Sequence, residues 1–111
     1  MFGLFNKSYK SISSKDAKNL IDNEKGVLLI DVRTPDEYRS NHIPKGISIP
    51  LNNIKAGIVK VAPNKDTTLV IYCQSGARAS SACSELAAMG YTNISNLGGI
   101  MSWPYETVRG R

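Results

Sequence analysis

Cys73-Gln74-Ser75-Gly76-Ala77-Arg78 is the stretch of this chain whose residue types could do covalent chemistry. A cysteine attacks as its thiolate, and a helix start or a neighbouring cation favours that form. Both are in place here. Residues 68–72, Thr-Leu-Val-Ile-Tyr, are β-branched or aromatic apart from one Leu, which predicts a buried strand leading into the cysteine. From Arg78 to Met89, small and apolar side chains recur at Ala79, Ala82, Cys83 and Leu86, the i, i+3, i+4, i+7 spacing of one helical face. Cys73 therefore stands where a strand ends and a helix begins, with Gly76 in the turn. Amides at a helix start are unpaired and carry the positive end of the macrodipole. Arg78 adds a guanidinium that is always charged. The pattern predicts a nucleophilic, anionic sulfur cradled by backbone N–H groups.

The alternative is a core residue, because a lone cysteine at the end of a buried strand also serves as a small hydrophobe. Cys83 is read that way, since it falls on the inner face of the predicted helix. Two cysteines do not make a disulfide framework, which points to a reducing compartment and a cytoplasmic protein.

The 111 residues are enough for one domain with its own core, and 41% hydrophobic with 21% charged residues is an ordinary globular composition. Lys and Arg outnumber Asp and Glu by 14 to 9. No arginine-rich run, RNA-binding signature or zinc spacing accompanies that excess, so nucleic acid is not expected as a partner. A modest positive field suits small anions or an acidic protein. The apolar opening, Met1 to Phe5, is too short for a membrane span or a signal core and could pack on the domain.

The elements that must position Cys73 can be followed along the chain. Tyr9 to Ile12 predicts a short edge strand, so residues 1–10 form an N-terminal segment that is either edge strand or flexible. Ser13 or Ser14 caps a helix to about Asn23, with Ala17, Leu20 and Ile21 inward. Val27 to Ile30 is a continuous apolar run, the mark of a strand covered on both faces. It leads into Asp31-Val32-Arg33. Thr34-Pro35-Asp36-Glu37 carries a cap, a Pro in the first helical position and a Glu closing a capping box. Ile43-Pro44 ends that helix. Ile47 to Ile49 predicts a further strand and Leu51 to Val61 a further helix. After the Cys73 unit, with Gly90 as its helix cap, come a weak strand over Asn93 to Leu97 and a short helix from Ile100 to Tyr105. Alternating strands and helices predict an α/β sandwich on a parallel sheet. Ligands bind such sheets beyond the carboxyl ends of the strands, where Cys73 would lie.

Three segments resemble a single-domain rhodanese, in that family's order and spacing. They are Leu29-Ile30-Asp31-Val32-Arg33-Thr34-Pro35-Asp36-Glu37-Tyr38 with His42-Ile43-Pro44 and Ile49-Pro50; the loop Cys73 to Arg78; and Leu97-Gly98-Gly99-Ile100 with Trp103. The resemblance covers residues 11–106, leaving 107–111 as a tail. It departs at Asn41, where the family commonly has Gly, and at Lys45-Gly46, where it commonly has Gly-Ala. It implies a three-layer α/β sandwich around a mostly parallel five-stranded sheet. It also implies a ping-pong sulfurtransferase, in which Cys73 takes sulfur from a donor such as thiosulfate and passes it to a thiol or cyanide. Gln74, Ser75, Gly76, Ala77 and Arg78 would bind the substrate, with Asp31 and Arg33 as loop-bracing ions. No cofactor or metal is implied, and a monomer is expected.

His42, the single histidine, is read as a hydrogen-bonding turn residue and Glu37 as the capping-box partner. Trp103 and Tyr105 are read as closing the core, or as meeting a partner at the rim. Other functions use the same parts. Cysteine phosphatases and arsenate reductases hold a tetrahedral anion in a Cys-x5-Arg ring; the Cys-x4-Arg spacing here is one residue shorter and better fits a terminal sulfur. A sulfur relay with a protein acceptor and a regulatory protein-binding module are the remaining alternatives.

Overall fold

The two continuous apolar runs become the central strands of the sheet, β2 (Leu28–Asp31) and β4 (Leu69–Cys73). In the computed structural model, which describes residues 8–110, they pair in parallel from Leu28↔Leu69 to Asp31↔Tyr72. β3 (Gly46–Ser48) lies outside β2. β5 (Ile94–Gly99) lies outside β4, and β1 (Lys10–Ser11) forms the edge beyond it. Among the described residues every strand pair is parallel, so the mostly parallel five-stranded sheet that the resemblance implies is parallel throughout.

Such a sheet needs cover on both faces, and the two-residue alternation of each strand distributes it. Ile30, Leu69, Ile71 and Cys73 point to a face filled by Ile54 and Ile58 of α3 (Ile54–Val61) and by Ala79, Ala82, Cys83 and Leu86 of α4 (Ala77–Ala88). Leu29, Val70 and Tyr72 point the other way, to Ala17 of α1 (Ser14–Asn23), Ile100 and Trp103. The inner faces of α1 and α4 are those the sequence predicts. Ser13 caps α1, its hydroxyl oxygen accepting from the Asp16 N–H at 3.0 Å. α2 (Pro35–Ser40) starts with the complete capping box of Thr34 and Glu37.

Three boundaries differ from expectation by more than one residue. The segment after Pro50 begins as a 3₁₀ turn, Leu51–Asn53, and becomes α-helical only at Ile54. The helix expected over residues 100–105 is one 3₁₀ turn, Ile100–Ser102. Trp103 precedes Pro104 and is extended, at φ −78° and ψ 115°, as a residue before proline tends to be. β5 runs two residues beyond Leu97, because a register shift beside Ile71/Tyr72 lets Gly98 and Gly99 pair with Tyr72 and Cys73.

Near the C-terminus, His42 and Val108 exchange two backbone hydrogen bonds of 2.8 Å, and the Gly110 N–H donates to the Arg39 carbonyl. The apolar residues 1–5 lie outside the described residues. Among the described residues no helix is long and apolar enough to cross a membrane.

Candidate active site

Parallel strands bring their carboxyl ends to one edge, and three of those ends meet here. β4 ends on Cys73, β2 runs on into Val32-Arg33, and β5 ends on Gly98-Gly99. Cys73 is 1% exposed, and the turn beyond it folds back so that the Gly76 N–H donates to Sγ at 3.0 Å. Gly76 has φ +120°, a conformation side chains resist, and it is the N-cap of α4. No side chain caps α4, which leaves the positive end of its dipole directed at the loop. Among the described residues one amide reaches the sulfur, where the sequence reading anticipates a ring of them.

β5 supports the turn from behind. A Cβ on Gly99 would stand 2.5 Å from the Gln74 oxygen and 2.8 Å from Ser75 Cα, so only glycine fits. The Met101 N–H then donates to the Gln74 carbonyl at 3.2 Å. Gly98-Gly99 has no evident task in the sequence; the task appears when β5 is laid beside β4.

Arg33 and Asp31 are 1% and 0% exposed. Arg33 Nε donates to both carboxylate oxygens, at 3.1 and 3.2 Å, and its Nη2 to Oδ2 at 2.8 Å. The Arg33 backbone N–H donates to Oδ1 at 2.9 Å. Burial alone would weaken the charge on Arg33, but the Asp31 hydrogen bonds outweigh it and hold the guanidinium protonated. The spare donors reach outward, Nη1 to the Gln74 side-chain oxygen at 3.1 Å and Nη2 to the Asn41 carbonyl at 2.5 Å. The pair thus touches the loop without reaching the sulfur. Tyr72 lies against it, its hydroxyl accepting from the Ile43 N–H at 3.1 Å. Burial, with the Asp31 charge nearby, raises the phenol well above its ordinary range, so it stays protonated.

Arg78, expected to serve the thiol, forms a two-pronged ion pair with Glu37, Nη1 to Oε1 at 2.7 Å and Nη2 to Oε2 at 3.0 Å, and its charge also interacts with Cys73. Both side chains are about one-third exposed, at 35% and 32%. The Arg78 hydrogen bond, aided by Thr34, lowers the Glu37 carboxyl to about 2. Glu37 Oε1 also accepts from the Thr34 N–H at 2.9 Å, so one carboxylate both closes the α2 capping box and holds the end of the Cys73 loop. Glu37 is the site residue that local reasoning misses. Its capping signal is complete in itself, and nothing nearby in sequence hints at a second partner 41 residues on.

The remaining candidates occupy structural places. His42 stacks on Tyr38 with centroids 3.8 Å apart, and its Nδ1 is 2.9 Å from the Tyr38 carbonyl. Trp103 is 8% exposed and closes the core as expected. Tyr105 stays 38% exposed and packs edge-on against Trp103, so it belongs to the rim. Burial, with Cys73 nearby, pushes the Cys83 thiol up to about 12. An apolar groove of about 460 Å³ adjoins Arg78, walled by Pro35, Pro50 and Leu51. Among the described residues no group of three or more His, Cys, Asp and Glu is placed to hold a metal ion.

Against known proteins, residues 13–105 match the Rhodanese-like domain family. The chain is 37% identical over 81 residues to "Thiosulfate sulfurtransferase PspE" of Escherichia coli, spanning 73% of this chain and 78% of that protein. It is 34% identical over 107 residues to "Thiosulfate sulfurtransferase GlpE" of Pseudomonas syringae, spanning 92% and 97%. Among solved structures, "rhodanese with anions from E. coli" aligns with a TM-score of 0.69 at 35% identity, over 76% of this chain and 99% of that one.

Proposed function

Because the chain belongs to the rhodanese-like domain family, a family of sulfurtransferases, we propose that it carries sulfane sulfur as a persulfide on Cys73. The observation that carries this reading is the cysteine at the end of β4, its sulfur hydrogen-bonded by the Gly76 amide at the uncapped start of α4. A sulfur anion at a helix start is electrostatically favoured, and a persulfide terminates in such an anion.

In the first half-reaction the Cys73 thiolate attacks the outer sulfur of thiosulfate. A new Sγ–S bond forms, the donor's S–S bond breaks, and sulfite leaves with the bonding pair. In the second, a thiolate or cyanide attacks the terminal sulfur; the Sγ–S bond breaks and the electron pair returns to Sγ as thiolate. Neither step needs a proton, which accords with a site whose histidine is bonded and stacked elsewhere. Arg33, through Gln74, and Gly99, through its contact with Gln74 and Ser75, hold the turn in place. Gln74 to Arg78 surround the incoming donor, and the acceptor is a small thiol, cyanide or the cysteine of a protein. Two free thiols suit the cytoplasm.

Intact mass after incubation with thiosulfate tests this directly. Wild-type protein should gain one sulfur atom that cyanide removes, and Cys73→Ser should gain none. A cyanide-labile sulfur that persists in Cys73→Ser would place the carrier elsewhere.

A further inference from the structure

Both arginines that the sequence brings to the Cys73 loop are engaged by carboxylates of the protein itself. Arg33 is engaged by buried Asp31, and Arg78 meets Glu37 at 2.7 and 3.0 Å. A guanidinium whose two outer nitrogens face a carboxylate presents a near-neutral pair to a further anion, in place of a full positive charge. Attraction for the donor then rests more on the start of α4, which carries a partial positive charge and whose Gly76 amide already holds the Cys73 sulfur.

Resting on the persulfide reading above, we propose that Glu37 sets the charge preference of the donor site. By engaging Arg78 it turns the site toward monoanionic sulfane-sulfur donors, such as thiosulfonates and alkyl persulfides, and away from the thiosulfate dianion. By Coulomb's law a dianion gains twice as much as a monoanion from a released cation, and loses twice as much beside a bare carboxylate. Glu37 acts through Arg78 and is a positioning residue.

The test compares kcat/KM for thiosulfate with kcat/KM for methanethiosulfonate, both with cyanide as acceptor. In a ping-pong reaction these values report the donor half-reaction alone. Glu37→Gln keeps a side-chain oxygen for the Thr34 cap but removes the charge. It should raise the thiosulfate-to-thiosulfonate ratio about two- to fivefold, the range of a partly exposed ion pair. Arg78→Gln should lower the ratio by a similar factor, and the double variant should return it close to the wild-type value. Added salt should shrink both single-variant effects. A pair that merely braces the loop would move both single variants the same way, or neither, and that result overturns the proposal. Thermal unfolding accompanies each variant. Should Glu37→Gln fail to fold, an unchanged or raised ratio in Arg78→Gln overturns it equally. Turnover surviving in Cys73→Ser would instead overturn the persulfide reading beneath it, whatever the ratios.

Discussion

Cys73 and Cys83 are one helical stretch apart, both buried and both free, yet their surroundings give them different chemistry. Cys73 has a donor amide at 3.0 Å and an open-ended helix dipole. Cys83 sits between Ala82 and Leu86 on the inner face of α4, with burial holding its thiol protonated at about 12. At neutral pH it has almost no thiolate to offer. Cys83→Ala should still take up one cyanide-labile sulfur from thiosulfate while losing about 1 kcal/mol of stability to the small void left behind. In a domain of this size that is a fall in Tm of roughly 4–8 °C. Intact mass and a thermal melt check the two halves, and loss of the sulfur adduct would make Cys83 part of the chemistry. This contrast was legible in the sequence, because helical periodicity alone turns residue 83 inward.

The turn between α2 and β3 shows how an element absorbs unusual residues. Asn41, at φ −169°, is ordinary extended backbone, so its departure from the family's glycine costs the turn nothing. Lys45 is different. It holds φ +75°, and it is the one non-glycine residue at positive φ among the described residues. A left-handed conformation costs a side-chain-bearing residue about 1–2 kcal/mol. Glycine would remove that cost but return up to about 1 kcal/mol through a freer unfolded chain. Lys45→Gly should therefore stabilise the protein by about 0.5–1 kcal/mol, seen as a Tm raised by roughly 2–8 °C. A lower Tm would show that the lysine side chain contributes more than its backbone loses. The sequence marks this turn as a departure from the family pattern, but only the backbone angles separate the harmless substitution from the strained one.

Across the whole molecule, two long-range contacts of equal sequence separation tie the N-terminal half of the site to the loop after β4: Arg33 to Gln74, and Glu37 to Arg78. The second has a pH signature. Glu37 titrates at about 2 when folded against an ordinary value of 4.5, so the unfolded chain binds the extra proton first as pH falls. The resulting stabilisation is fully present above about pH 4.5 and is lost as pH drops toward 2. With both side chains one-third exposed, it should amount to about 1 kcal/mol or less. Urea unfolding of wild type and Glu37→Gln should give a stability difference that is constant from pH 7 to 5 and narrows from pH 4.5 to 2. A difference that stays level down to pH 2 would show that the ion pair does not set it.

Whatever depends on near neighbours was already specified in the order of the amino acids. The apolar runs at Val27–Ile30 and Leu69–Tyr72, the inner faces of α1 and α4, the Thr34–Glu37 capping box and the strand-to-helix setting of Cys73 are each specified within a few residues. Three further features arose only in the tertiary structure: the Glu37–Arg78 ion pair, the contact of Gly99 with the Cys73 loop, and the return of Val108 to His42. Each joins parts of the chain that are distant in sequence. The Gly99 contact follows from strand order and register, through a one-residue shift in β5 that brings Gly99 beside Cys73. Periodicity and capping act over one or two turns of chain, whereas register is settled when whole strands choose neighbours to bury both faces of the sheet.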